Sequence, residues 1–422
     1  MLPFQRKLTN FFYVILGLPA TAMGFGLSIQ IAVLSWILRT RYGLDIHEIG
    51  IVWAAGPIAG IIGQPIIGWI SDGVWFWGGR RRPFIFIGGI LAALSIMALP
   101  YIGLISDGLG IGSILAVAIT VALTLDLSIN ISFNPTRSII ADVTPDGPPR
   151  TKGYTWMQAI SNFFGAGAYL VSALLGNYTL IYVGVVVILL FSIVPMFFIK
   201  EPRKVEEVEK SDVSVTKTDW GQLWRIYIAH GFSWLGIQTM FIYTFAFLEQ
   251  RFEVKDADYL GQIIGWSFFI LNAVGSVFPI FLLEPLSKKI GKVKTHFLSV
   301  LSMSLGYFLI VIFVKNTFMM YACFVILSLG WAAVVSLPFA IMTEKVNKKR
   351  MGFFMGIFNL SVVLPQLVSS FVIGYFIQEA ESKTIVYLIS AISLAISAVL
   401  WIFVSEKSAH QVKKNAPVGR MH

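Results

Sequence analysis

LTLDLSINISFNPTRSIIAD, residues 123–142, places Asp126, Asn130, Asn134 and Arg137 inside a run otherwise apolar enough to lie within a lipid bilayer. A charge at that depth costs at least about 2–3 kcal/mol unless it is paired or solvated, and a chain that carries the penalty has a use for it. At roughly 100° per residue, Asp126 and Arg137 project within about 20° of each other, with Asn130 and Phe133 on the same helical stripe. Along the axis the two charges stand about 16 Å apart, too far for simple contact unless long side chains or a bend at Pro135 shorten the gap. The pattern expects something polar between them.

Working outward, 56% of the 422 residues are hydrophobic and 13% are charged, against roughly 25% charged residues in an average soluble domain. Mean hydropathy is +0.77. The composition is that of an integral membrane protein. A net charge of +10 and a pI near 9.5 would suggest nucleic acid in a soluble chain, but here basic loops need only follow the positive-inside rule, and no nucleic-acid partner is expected. Cys323 is the single cysteine, which excludes an intrachain disulfide. Arg6 and Lys7 precede an apolar stretch too long for a signal-peptide core, so that stretch is expected to be retained as the first span.

About twelve apolar segments are long enough to cross a bilayer core of about 30 Å as helix. They run over 11–38, 48–70, 84–105, 112–141, 153–176 and 179–200, then 223–250, 259–283, 295–314, 318–343, 352–378 and 384–404. None alternates as a strand of a membrane barrel would. The expected fold is an all-α membrane protein of twelve transmembrane helices in two six-helix bundles, 1–200 and 223–406, with a mixed-charge connector at 201–222 and a tail at 407–422. Lys and Arg concentrate before the first span, at Arg80–Arg82, at Arg150 and Lys152, in the connector, at Lys288–Lys294, at Lys345–Arg350 and in the tail. Arg39, Arg41, Arg251, Lys255, Lys315 and Lys383 lie on the opposite side. Both termini, the connector and the tail are therefore expected in the cytoplasm, with the protein multi-pass in the cell membrane.

The two halves echo one another, as chains built from structural repeats do. Asp72 stands seven residues before Gly79, which opens Gly79-Arg80-Arg81-Arg82; Glu284 stands seven before Gly291, which opens Gly291-Lys292-Val293-Lys294. An acid at a helix end facing a cationic cluster can latch neighbouring helices through charge-assisted hydrogen bonds, so Asp72, Arg80, Arg81, Arg82 and Glu284 are expected to form a cytoplasmic latch. The echo fails at the fourth span, where Asp126 and Arg137 have no counterpart in the second half.

At this level of detail the chain resembles a known family, the plant-type sucrose/proton symporters and their animal and microbial relatives within the major facilitator superfamily. FGLSIQ at 25–30 is similar to that family's FGWALQ, and GPIAGIIGQPIIGWISD at 56–72 to its GPISG, QP, G and SD pattern. GRRRPFI at 79–85 matches outright. The Asp126, Asn130, Pro135, Arg137 and Ala141-Asp142 spacing also resembles the family's fourth helix, as do Asn162 and Gly165 in the fifth, Glu284-Pro285-Leu286 with Gly291 after the eighth, and Gly352, Gly356, Asn359 and Pro365-Gln366 in the eleventh. The chain departs from the family at Thr244-Phe245-Ala246-Phe247, where an acidic TDW motif is usual, and at Phe133 and Asn134.

The resemblance implies proton carriage and contact with sugar hydroxyls for Asp126, and a need for Arg137 in transport. Read from chemistry alone, Asp126 is either a carboxyl that takes up and gives back a proton or one held ionised by a buried partner; Arg137 is either its charge partner or an anchor snorkelling to the interface. Asn130, Gln30, Gln64, Asn162, Asn359 and Gln366 are polar groups at membrane depth, suited to binding a polyol or to joining helices. Trp53, Trp156 and Trp234 could stack on a pyranose ring or simply pack, and a lone His230 is more often a packed side chain than a relay. No phosphate-binding GxxxxGK[ST] loop and no metal-ligand cluster is present, so neither a cofactor nor a metal is expected, nor is an enzyme. The implied function is uptake of a disaccharide or related glycoside with a proton by a monomer. A uniporter or exporter, coupling to another ion and a non-transporting sugar sensor stand as alternatives.

Overall fold

The computed structural model describes residues 3–145, 148–202, 218–252, 256–346 and 351–406. The tail 407–422 and connector residues 203–217 lie outside the described residues, as do the side chains of Gln64 and Asp72. Among the described residues, eleven helices are long and apolar enough to cross a membrane, and a further apolar helix, Ile385–Trp401, is shorter.

Besides the short helices Pro3–Arg6 and Ile102–Leu109, the helices of the first half are α1 (Asn10–Thr40), α2 (Ile46–Trp53), α3 (Ala55–Gly73), α4 (Arg82–Ala98), α5 (Ile114–Val143), α6 (Pro148–Leu175) and α7 (Asn177–Phe198). In the second half they are α8 (Trp220–Arg251), α9 (Ala257–Phe278), α10 (Glu284–Ile290), α11 (Lys292–Phe313), α12 (Thr317–Thr343), α13 (Met351–Val368), α14 (Gly374–Glu379) and α15 (Ile385–Trp401). Capping fixes several starts: Thr9 accepts from Phe12 N–H, Ser113 from Ala116 N–H and Asn316 from Met319 N–H, while Asp45 and Glu48 form a reciprocal capping box at α2. Helix satisfies the backbone internally, which a bilayer requires. The segment expected as one helix over 48–70 is interrupted at Ala54, between α2 and α3. The eighth and eleventh spans each contain a π-helical turn, Pro279–Leu283 and Ser369–Ile373, a local widening that often marks a functional place.

The chain divides into two compact units. The first holds the described residues up to 202 together with Phe241–Ala273 and Ser369–Lys383; the second holds those from 218 to Met240, Val274–Val368 and those from Thr384 onward. In the first unit, helices meet through small residues. Gly17 lies on the Met157 backbone, Gly88 on Ser128 and Ser132, and Gly89 on Ser192, so closely that a side chain at any of them would collide or force a shift. Such contacts let backbones approach where lipid supplies no hydrophobic drive for association. Thr21 and Ser161 add a hydroxyl contact of 3.1 Å between α1 and α6. In the second unit, Leu223, Ile226, Tyr227, Met342, Phe354 and Trp401 form a buried cluster.

Each unit also carries a charged clasp. In the first, the Glu201 carboxylate accepts from the N–H groups of Arg80, Arg81 and Arg82 at 2.8–3.1 Å. Asp142 pairs with Arg80 at 3.1 Å and with Arg81 at 3.2 Å, and Arg81 also donates to Ser71 at 2.7 Å. In the second, Glu406 accepts from the N–H groups of Lys292 and Val293 at 2.7 and 2.8 Å, and Lys292 pairs with Glu344. The echo heard at Gly79 and Gly291 is thus completed by acids at the ends of other spans, Asp142 with Glu201 and Glu344 with Glu406. Glu284 is exposed and pairs with Lys288 one turn along at 2.6 Å, a bond that holds its carboxyl below the usual range. Replacing Asp142 by Ala strips a carboxylate from two guanidinium groups, one with a side chain only 8% exposed. The expected cost is on the order of 3 kcal/mol, read as a lower melting midpoint in detergent; an unchanged midpoint would mean that the pair adds nothing.

Candidate functional site

Asp126 lies in the middle of α5 and is 5% exposed. Gln30, near the middle of α1, donates its side-chain amide to Asp126 Oδ2 at 2.9 Å. Asn130, one turn along α5, donates to the backbone carbonyl of Asp126 at 2.8 Å. Glycines on α3 make room for both: a Cβ on Gly56 would stand 3.3 Å from Asp126 Oδ1, and one on Gly63 would stand 3.2 Å from Asn130 Cβ. Three sequence-expected residues, Gln30, Asp126 and Asn130, therefore meet as one buried polar group, with the Gly-x-x-x-x-x-x-Gly face of α3 laid against them. Among the described residues no cation reaches the Asp126 carboxyl.

Arg137 is more than a third exposed and does not meet Asp126. Its guanidinium lies 4.1 Å above the Phe133 ring, a cation–π arrangement, and its carbonyl accepts from the Tyr154 hydroxyl at 3.2 Å. Phe133, four residues before Arg137 on α5, takes up the guanidinium. Asn162 is exposed on α6 and accepts from Gln158 at 2.7 Å. In the second unit, Asn359 is half-buried on α13, and Gln366 donates to Gln238 of α8 at 3.2 Å.

Trp53 and Trp234 are both engaged in packing. Trp53 is 6% exposed and donates to Ser35 at 2.8 Å, so it is a packing residue. Trp234 donates to His230 Nε2 at 2.9 Å and meets Trp331 edge to face at 6.2 Å, while His230 stacks on Phe358 at 4.8 Å. His230 is thus the packed side chain that its isolation in the sequence suggests. Asn177, in a glycosylation-like triplet, is 3% exposed and accepts from Ser172 at 2.5 Å.

A second feature of the first unit had no local signal in the sequence. At the end of the spans that carries few basic residues, first-half helices are stitched to the 241–273 and 369–383 segments. Ser35 donates to the Ile242 carbonyl at 2.7 Å, Trp36 to the Ala257 carbonyl at 2.6 Å, and Gln378 accepts from Ile46 N–H at 3.0 Å. Arg39 pairs with Glu249 at 3.2 Å. The buried Tyr243 hydroxyl donates to the Ser369 carbonyl at 3.1 Å, at the start of the π-helical turn. Gly50 faces this point so closely that a Cβ would collide with both Ser370 O and the Tyr243 hydroxyl. Only the absence of a side chain lets the seam close.

With this geometry in place, the sequence pattern described as Major Facilitator Superfamily matches residues 16–364 and 257–420. Sucrose transport protein SUT5 of Oryza sativa subsp. indica is 32% identical over 105 residues, a match that spans 25% of this chain and only 19% of that protein. Sucrose transport protein SUC4 of Arabidopsis thaliana is 23% identical over 425 aligned residues, covering 85% of this chain and 82% of that protein. Among solved structures, the D-xylose-proton symporter superposes with a TM-score of 0.72 at 15% identity, over 94% of this chain and 99% of the other, which shows a shared fold.

Proposed function

The chain belongs to the Major Facilitator Superfamily, and on that footing we propose that it takes up a disaccharide or related glycoside together with a proton by alternating access. As a member of that superfamily it is a membrane transporter and not an enzyme. The observation that carries the finer reading is the Asp126 carboxyl: 5% exposed, held by one amide and without a cationic partner among the described residues. Burying a carboxylate without a counter-charge is costly, so the counter-charge within reach is a proton. Gln30 engages Oδ2, and Oδ1 on the Gly56 side remains to hold the proton or meet a hydroxyl of the cargo. Loss of the proton would leave a bare anion beside the sugar and loosen it. The names of the full-length relatives support a sugar as cargo.

In this reading the residues before 201 and those over 223–406 form the two rocking halves, both termini face the cytoplasm of a cell-membrane monomer, and the clasps at Arg80–Arg82 and Lys292 hold the basic side. The seam at Ser35, Gly50 and Tyr243 closes the opposite side while cargo is released inward. Arg137, about three turns along α5 from the carboxyl and stacked on Phe133, would act as a separate donor to substrate. Arg137→Lys keeps the charge but loses the planar fork and its stacking on Phe133, and uptake is expected to fall roughly tenfold, by about 1.4 kcal/mol of transition-state stabilisation; normal uptake would make Arg137 an anchor.

Reconstituted vesicles test the whole reading. A counterflow screen of unlabelled sugars identifies the cargo, and adding that cargo outside should make the external medium alkaline. Counterflow without any proton movement would reduce the protein to a uniporter.

A further inference from the structure

The loop between α3 and α4 folds into a minimal hairpin. Phe76 and Gly79 exchange both backbone hydrogen bonds, at 3.1 and 3.2 Å, and the two residues between them have positive φ, 47° at Trp77 and 77° at Gly78. Asn-Gly is the pair such a turn favours. A tryptophan at that φ is strained, and burial in this chain does not offset the strain, because Trp77 is 68% exposed. Trp75 and Phe76 beside it are 37% and 36% exposed. The rings nevertheless have a fixed arrangement: Phe76 meets Phe84 at 5.7 Å, and Trp77 meets Phe86 edge to face at 6.3 Å.

Arg82 stands in the same place. It opens the apolar span Arg82–Leu109, so the hairpin sits at the membrane boundary, and on α4 it shares a face with Phe86 one turn further in. Glu201 takes its backbone N–H; among the described residues its guanidinium donates only to the Gly78 carbonyl, at 3.3 Å, and its Nε has no partner. Among the described residues no carboxylate pairs with this side chain, whereas Arg80 and Arg81 are both held by Asp142. A guanidinium that no described carboxylate pairs with, next to exposed indoles at the edge of a span, has the chemistry to take a phosphate on the charge and a glycerol backbone on the rings.

We propose that the Trp75-Phe76-Trp77 hairpin and Arg82 form a docking site for an anionic phospholipid of the surrounding bilayer, with its phosphate on the guanidinium and Trp77 inserted at the interface. The strained turn is kept because it aims Trp77 outward. The inference is independent of the cargo and of proton coupling.

The purified full chain, reconstituted in nanodiscs of phosphatidylcholine with phosphatidylglycerol mixed in, provides the test. Native mass spectrometry should find phosphatidylglycerol retained several-fold over phosphatidylcholine, and Arg82→Gln should remove that preference. Trp77→Asn, suited to the turn, should raise the melting midpoint in detergent yet weaken lipid retention, and should reduce quenching of tryptophan fluorescence by lipids brominated near the headgroup. Equal retention of the two lipids, an undiminished preference in Arg82→Gln, or quenching that does not change in Trp77→Asn would overturn the site; the last would leave the hairpin as a surface for a soluble partner.

Discussion

Carriers with Asp126→Asn are expected to exchange labelled for unlabelled cargo across a vesicle membrane while losing all ability to concentrate it. The substitution keeps the shape of the side chain and an oxygen for Gln30, whose amide sits 2.9 Å from Asp126 Oδ2 in the native protein, so the buried contact between α1 and α5 survives. What disappears is the one group in that contact able to bind and release a proton. A membrane potential of 100 mV supplies about 2.3 kcal/mol per proton moved, roughly a fiftyfold concentration ratio. The mutant should therefore show a ratio of one under a potential expected to take the native protein to tens, and its exchange rate should be insensitive to pH. Concentrative uptake by Asp126→Asn would remove this carboxyl from the coupling step. Loss of exchange as well as accumulation would assign it to cargo binding alone.

Gly50→Val should hold the seam open. In the native protein Gly50 faces Ser370 O and the Tyr243 hydroxyl within colliding distance of any Cβ, and one obstacle is a backbone carbonyl that cannot swing aside. Overpacking a well-fitted contact costs about 1–3 kcal/mol, which shifts the closed-to-open equilibrium by roughly fivefold to 150-fold. The penalty falls on the closed seam, where Ser35 donates to the Ile242 carbonyl and Tyr243 to the Ser369 carbonyl. Ser35→Cys gives a direct reading: its thiol should react with an impermeant maleimide several-fold faster in the Gly50→Val background. The native Cys323 is 7% exposed and adds little background. Uptake should collapse in step, since a transporter arrested on one side completes no cycles. If the thiol reacts at the same rate in both backgrounds, the seam has been misread as a gate.

The two experiments probe features that differ in how far the sequence announces them. Asp126 stands out because a carboxylate in a long apolar run has no local compensation, and the Asn130 spacing puts a second polar group one turn away. Gln30 was legible only as one of several polar residues at depth; that it is the donor to Asp126, 96 residues away in sequence, depends on how α1 crosses α5. Gly56 and Gly63 belong to a motif, yet their role as floor to the polar group emerges only when α3 lies against α5. The stripe joining Asp126 to Arg137 follows from helical periodicity, but stacking on Phe133 against reaching toward Asp126 is a matter of side-chain rotamer.

By itself the sequence determined the membrane class, the twelve apolar helices and the basic side of the loops, because hydrophobic length and charge placement are properties of each segment and need no neighbour to be read. It also singled out Asp126, since the cost of burying a charge is incurred by the residue alone. Only the tertiary structure decided which groups answer that charge, that Glu201 and Glu406 complete the two clasps, and that Tyr243 and Gly50 meet a π-helical turn from a distant helix. Such pairings join residues far apart in the chain, and they are set by crossing angles and by the close approach that glycine permits, neither of which leaves a periodic mark along a single segment.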